Sequence, residues 1–141
     1  MTQQQLKDLL GAFWDIESYD SDSFSIFLRD IRDYPDIVQI VVSIHGPFLA
    51  VMGRSPRYLG TIDSSEELLS FVNQWNTKKL LPDAYVIIND KELGAIITKS
   101  ISYIGNSDFN KDSFYAMMSV YIESTCDFFR SLYKNRINRN H

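Results

Sequence analysis

The sequence predicts an α+β fold, in which helices pack on an antiparallel sheet of about five strands in the order α-β-β-β-α-β-β-α. Three observations support this class. Apolar residues recur at helical spacing near both ends and in the middle of the chain, they alternate with polar residues in the segments between, and glycine and proline mark the boundaries. The 141 residues are 45% hydrophobic, enough for one sizeable core.

We therefore predict a single domain over residues 1–135. The last eight residues hold three basic side chains and no acidic one. We expect residues 136–141 to form a disordered basic tail, because a charged chain end with one apolar residue, Ile137, has little to bury.

The first helix is predicted at the amino end, where Thr2 can cap it with its hydroxyl oxygen. The helix is expected to end near residues 11–14. Its apolar residues recur at helical spacing and are expected to form one buried stripe: Leu6, Leu9, Leu10 and Phe13.

Three meandering strands are predicted next. Residues 18–23, rich in Asp and Ser, indicate a turn, and apolar alternation follows over residues 24–28. The clearest strand is residues 37–44, where β-branched side chains dominate. A turn with Gly46 and Pro47 leads into a strand over residues 48–52.

The second helix is predicted to start with a capping box formed by Ser64 and Glu67. Asn73 and Asn76 fall at the margin of its buried face, where their amides can bond backbone or a neighbouring strand. The buried stripe itself is apolar: Leu68, Leu69, Val72 and Trp75.

Pro82 blocks continuation of that helix. Residues 85–88 and 95–104 then alternate around the polar segment NDKELG, which predicts a hairpin.

The last helix, over about residues 108–134, has two adjacent apolar stripes. One consists of Phe114, Met118, Tyr121, Thr125, Phe128 and Leu132, and the other of Tyr115, Ile122, Cys126, Phe129 and Tyr133. A helix this apolar must be covered on more than one side. The second stripe could meet a symmetry mate or a protein partner, or the chain's own sheet and first helix could cover it.

Charge and cysteine content limit the classes of partner. The net charge of -4 disfavours nucleic acid and anionic membranes, since both require a dense positive surface. A single cysteine, Cys126, cannot form an internal disulfide, and we find no signal peptide or membrane-spanning run. We expect a cytoplasmic protein.

No motif indicates catalysis, a cofactor or a metal. The glycines form no Gly-x-Gly pair, and His45 and His141 are too few for a histidine-based zinc site. Arg54 and Arg57 could bind an anion or lie in a solvated loop. An alternative of a different class is a hydrolase or small-ligand enzyme centred on His45, with nearby Asp or Ser residues.

Three segments together resemble the YbjN-type family of bacterial sensory-transduction regulators: SSEELLSFVNQWN, LPDAYVIINDKELGAIITKSISY and a last helix ending CDFFRSLY. The resemblance spans Leu6 to about Leu132, and its specific residues are Asn73, Trp75, Asn76 and Pro82. It implies a fold similar to the type III secretion chaperones, frequent dimers and no catalytic residues. The predicted function is a non-catalytic regulatory domain that binds a protein partner as a dimer, with a secretion chaperone as the alternative.

Overall fold

Among the residues that this computed structural model describes, a six-stranded antiparallel sheet carries three helices. The structure describes residues 1–55, 65–78, 83–89, 92–103 and 110–139. The elements are α1 (Gln3–Gly11), β1 (Ile16–Asp20), β2 (Ser23–Leu28), β3 (Val38–His45), β4 (Phe48–Arg54), α2 (Ser65–Lys78), β5 (Asp83–Asn89), β6 (Glu92–Tyr103) and α3 (Lys111–Arg139). The α+β class is confirmed, with one strand more than predicted.

The strand order is β1-β2-β3-β4-β6-β5, so β1 and β5 are the edge strands. The additional strand is β1, which pairs Ile16 with Ile26 of β2. The strand has a weak apolar signal because Ile16 is its only residue that packs on the core. An irregularity in register between Ser18 and Asp20 interrupts this edge, which makes it a poor template for another strand.

Helix α1 begins with a full capping box. The Oγ1 atom of Thr2 accepts from the Gln5 amide at 3.1 Å, and Oε1 of Gln5 accepts from the Thr2 amide at 2.8 Å. Both bonds satisfy amides that have no partner inside the helix. The predicted cap at Thr2 is therefore confirmed, whereas Ser64 lies outside the described residues.

All three helices contribute to one core on one face of the sheet. The sheet supplies alternate residues of its strands, as the two-residue period of a strand requires. The buried members of this core are Leu6, Leu9, Leu10, Phe24, Ile26, Val38, Ile40, Val42, Leu49, Val51, Leu68, Val72, Trp75, Ala84, Phe114, Met118, Tyr121, Phe128, Phe129 and Leu132.

The intervening residues of β2, β3 and β4 lie on the opposite side, which we call the outer face. Ser25 pairs with Val41 and Val41 pairs with Met52, while Gln39 pairs with Arg54. Residues that pair directly across an antiparallel ladder share a face. These five residues therefore define the outer face.

Two predicted core residues are exposed. Phe13 is 64% exposed because α1 ends at Gly11, so the helical period no longer sets the direction of its side chain. Leu69 is 45% exposed because the buried stripe of α2 runs through Leu68, Val72 and Trp75 at spacings of four and three. The prediction that Phe13 and Leu69 are buried is wrong.

Helix α3 starts at Lys111 and extends to Arg139, which is past the domain boundary that we predicted at residue 135. Residues 140–141 lie outside the described part of the chain. Its first predicted stripe, from Phe114 to Leu132, is buried throughout. Among the described residues, no helix combines the length and the hydropathy that crossing a membrane requires.

Candidate functional site

Asn76 ties the end of α2 to the edge strand β5. Its Nδ2 donates to the carbonyl of Ala84 at 3.0 Å, and its Oδ1 accepts from the Ala84 amide at 2.8 Å. A side-chain amide has one donor and one acceptor group in the arrangement that a backbone peptide offers. Asn76 therefore pairs with the open edge of β5 in the way that another strand would. A bond from this amide to a nearby strand was one of the two options that the sequence predicted.

Trp75, the residue before it, belongs to the core. The side chain is 8% exposed, and its ring meets Phe128 of α3 edge to face, with centroids 5.0 Å apart at 90°. Asn73 is exposed on α2, and its backbone carbonyl accepts from the Thr77 hydroxyl at 2.8 Å. Pro82 lies outside the described residues. Trp75 and Asn76 thus have structural contacts, while Asn73 faces solvent.

The carboxyl-terminal half of the second α3 stripe is covered by the loop between β2 and β3. In that loop, the ring centroid of Tyr34 lies 6.1 Å from the ring centroid of Phe129 and 6.1 Å from that of Tyr133. The Tyr34 hydroxyl donates to Oγ of Ser55 at 2.7 Å, which holds the ring in place. Phe129 is only 1% exposed, so the chain itself occupies this part of the predicted partner face.

The amino-terminal half of the same stripe meets α1. The Tyr115 hydroxyl donates to the Leu9 carbonyl at 2.7 Å, and the Tyr115 ring lies 4.1 Å from Phe13 and 6.0 Å from Trp14. Desolvation raises the pKa of the Tyr115 phenol above its ordinary value. Three aromatic rings therefore gather where α1 ends, and the outermost, Phe13, is largely open to solvent.

Beside these rings lies a groove of about 460 Å³ between α1 and the start of α3. Its volume falls within the range of small-ligand and anchor-residue pockets. We call it the α1–α3 groove, and its lining combines apolar and polar side chains: Met1, Gln5, Asp8, Leu9, Ala12, Lys111 and Tyr115. Of the predicted partner face, Tyr115 is the residue that reaches it.

Ile122 and Cys126 lie between the two covered halves of the stripe and are half-buried. Desolvation raises the pKa of the Cys126 thiol, the charge of Arg130 opposes this rise, and Asp127 adds to it. Arg130 bonds Asp127 one turn away on α3. The thiol is therefore held in its protonated, weakly nucleophilic form, in keeping with a packing role.

The hydroxyls near His45 do not form a nucleophile–base pair in the described residues. Ser23 and Ser43 bond each other at 2.7 Å, whereas no hydrogen bond joins His45 to either serine. The pKa of Asp20 is lowered, chiefly by the bond from the Asp22 amide, then by the Ser23 hydroxyl and by the charge of His45. His45 is exposed at the hairpin between β3 and β4. The arrangement provides no catalytic dyad of the kind that acyl transfer requires.

Comparison with known proteins points to one fold. No family model matches the sequence, and no curated protein matches it either. The structure is similar to that of YbjN from E. coli, a candidate transcription regulator, with a TM-score of 0.75, 96% of this chain and 94% of that chain covered, and 8% sequence identity. The protein therefore has a YbjN-like fold, as the sequence resemblance predicted, whereas the similarity to type III secretion chaperones stays a prediction.

The α1–α3 groove was not predicted from the sequence. Its polar lining residues, Gln5, Asp8 and Lys111, lie on exposed helical positions, where such side chains are usual. One residue in the sequence does indicate the groove, and it is Phe13. An aromatic residue just past the end of a short helix cannot join the buried stripe of that helix. Its exposure beside Tyr115 marks the groove.

Proposed function

We propose that this protein is a non-catalytic regulatory domain of the YbjN type, which acts in the cytoplasm by binding a protein partner as a homodimer. The observation that carries the proposal is the exposed aromatic cluster at the α1–α3 groove. Phe13, which is 64% exposed, packs at a tilted angle against Tyr115, and Tyr115 lines a cavity of about 460 Å³. Exposed aromatic side chains beside a pocket are the usual anchors of protein interfaces.

The chemistry of the groove indicates what the partner presents. Leu9, Ala12 and Met1 form the apolar part of the lining, and Asp8 and Lys111 place opposite charges in it. An apolar side chain of the partner would enter the groove, and polar groups around it would meet the charges. The net charge of -4 argues against nucleic acid as that partner.

A photo-crosslinking residue placed at position 13 tests the groove. Val120 is the matched control position, since it is 65% exposed on α3, whereas Phe13 is 64% exposed. Position 120 lies about 140° around the helix from Tyr115, away from α1. We expect crosslinks to one protein from position 13 and none from position 120, identified by mass spectrometry in cells that express the protein at its native level.

Excess unlabelled wild-type protein should abolish the crosslink, whereas excess unlabelled Phe13→Ala should leave it in place, which would show that the aromatic anchor is needed for binding. Equal crosslinking from both positions, or none from position 13, would contradict the proposed surface.

For the homodimer, we propose the flank of α3 that contains Ile122 and Cys126, because both are half-buried between covered segments of the stripe. Cys126 is the only cysteine, so a bismaleimide reagent can link two copies only through that residue. We expect dimer-sized species in light scattering, and covalent dimers that form slowly with the reagent because the thiol is half-buried and its pKa is raised. A strict monomer over about two decades of concentration would contradict the dimer.

A further inference from the structure

Arg54 lies on the outer face of the sheet, where hydrogen bonds across three strands fix its guanidinium. Nε of Arg54 donates to Oε1 of Gln39 on β3 at 2.7 Å, and Nε2 of Gln39 donates to Oγ of Ser25 on β2 at 2.9 Å. Gln39 is 4% exposed and Ser25 is 2% exposed. Because both supporting side chains are buried and bonded, the plane of the guanidinium is set before any ligand arrives.

Tyr19 holds the same group from the other side. The centre of its ring lies 5.9 Å from Cζ of Arg54, within the range of a cation–π contact. Tyr19 belongs to β1 and Arg54 to β4, so the two side chains extend toward each other over β2 and β3. This contact between Tyr19 and Arg54 is consistent with the burial of Val41, which is only 1% exposed although it lies on the outer face.

The positive charge of Arg54 is not neutralised by a neighbour in the described segments. The ion pairs found there join Arg32 to Asp33 and Arg130 to Asp127, and none involves Arg54. Its Nε is occupied by Gln39, which leaves the terminal nitrogens as the free donors. Two parallel N–H donors on a planar cation match the two oxygens of a carboxylate.

We propose that Arg54 forms a carboxylate-binding site on the outer face, with Gln39 and Tyr19 as its positioning residues. One guanidinium edge balances the single charge of a carboxylate, whereas a phosphate dianion generally recruits several cationic or backbone donors. The carboxylate is carried by a free small acid or by the acidic side chain of a polypeptide. The site lies on the face opposite the helices and is independent of the α1–α3 groove.

NMR titration of protein labelled with ¹⁵N at the arginine Nε positions tests the site directly. The probes are benzoate, an acetylated and amidated Ala-Glu-Ala tripeptide, and inorganic phosphate. We expect the Nε–H signal of Arg54 to shift and saturate with a carboxylate in the range of about 1–10 mM, tighter than an exposed ion pair in water, because this guanidinium is half-buried and already oriented. If benzoate saturates the Arg54 shift and the tripeptide does not, the ligand is a free small acid. If the tripeptide binds more tightly than benzoate, the ligand is a carboxylate side chain of a polypeptide.

Arg54→Lys keeps the charge and removes the fork together with the Nε–H reporter, so this variant is followed by the backbone amide signals of Gln39 and Tyr19, and its carboxylate affinity should fall about tenfold. Arg32→Lys is the matched control, since the Arg32 side chain is 91% exposed and pairs only with its neighbour Asp33. Gln39→Leu should weaken binding severalfold while the charge of Arg54 remains, because only the orientation is lost. Thermal melting shows whether each variant is folded, and the wild-type titration tests the site without any variant.

Three results would overturn the proposal. They are an Arg54 signal that does not move with either carboxylate, an affinity that Arg54→Lys leaves unchanged in a folded protein, and a tighter response to phosphate than to both carboxylates. Phe13→Ala should leave the titration unchanged. Failure of this site and failure of partner binding at the groove are therefore separate outcomes.

Discussion

The side-chain amide of Asn76 and the backbone of Ala84 exchange two hydrogen bonds, at 2.8 and 3.0 Å. The pair closes part of the open edge of β5, where an unpaired strand would otherwise present free backbone groups. An amide that the sequence places at the margin of the buried face of a helix pairs with the backbone of an edge strand in the structure.

Replacing Asn76 by alanine should therefore destabilise the protein by about 1–3 kcal/mol, because the amide and carbonyl of the 1%-exposed Ala84 lose their partner. The measurement is urea unfolding, together with hydrogen exchange at the Ala84 amide, which should become faster. Asn73→Ala is the matched control on the exposed side of α2 and should change stability by less than about 0.5 kcal/mol. Equal effects of the two substitutions would contradict the role of Asn76.

Trp75→Ala should cost about 3–5 kcal/mol, since it removes a buried indole and its edge-to-face contact with Phe128. Thermal and chemical unfolding measure this loss. Leu69→Ala, one turn and a half earlier on the same helix and 45% exposed, should cost much less. An unchanged melting temperature for Trp75→Ala, with partner binding lost, would instead make Trp75 a contact residue.

Tyr115→Phe removes the hydroxyl that bonds the Leu9 carbonyl and leaves the ring beside Phe13. We expect a loss of about 0.5–1.5 kcal/mol in the free energy of unfolding. Tyr85→Phe is the control, because Tyr85 is 50% exposed. A crosslink from position 13 that survives Tyr115→Phe would show that the ring, and not the hydroxyl, supports the groove. A stability change no larger than that of Tyr85→Phe would argue that the bond to Leu9 contributes nothing.

Cys126 should react slowly with iodoacetamide in the folded protein, and its reaction rate should continue to rise with pH beyond the range in which an ordinary thiol levels off. Burial raises the thiol pKa, so the folded state favours the protonated form. The resulting contribution to stability is present below the unfolded pKa of about 8.5 and is lost as pH rises through the folded pKa.

The measurement compares alkylation rates between about pH 7 and 10 in folded and urea-unfolded protein. The variant Cys126→Ser supplies the background rate and should remove this part of the pH dependence of unfolding. A folded-state rate profile that coincides with the unfolded one would show that the thiol is not desolvated.

Regular periodicity explains which parts of the fold were predictable. The stripe from Phe114 to Leu132 is buried as its helical spacing predicts, and the alternation over residues 37–44 corresponds to β3. The period misleads where the helix has already ended, as at Phe13, and beside the buried stripe of a helix, as at Leu69. Strand β1 was missed because a single inward residue, Ile16, carries too little alternation to be recognised.

Contacts between distant segments could not be read from the pattern. Gln39 is polar and alternates outward, yet it is buried because Ser25 and Arg54 come beside it through strand pairing. Tyr34 belongs to a loop without periodicity, so its cover of Phe129 and Tyr133 has no local signal. For the same reason the sequence left open whether the second α3 stripe meets a partner or the chain itself.

The bond between Tyr115 and Leu9 joins residues 106 positions apart in the chain. During synthesis, the amino-terminal half of the sheet leaves the ribosome well before α3 exists, and its apolar side then has only the short helix α1 to pack against. Folding of this domain is therefore completed only after α3 has been synthesised. Until then the nascent chain presents the kind of apolar surface that cellular chaperones recognise and that promotes aggregation at high expression.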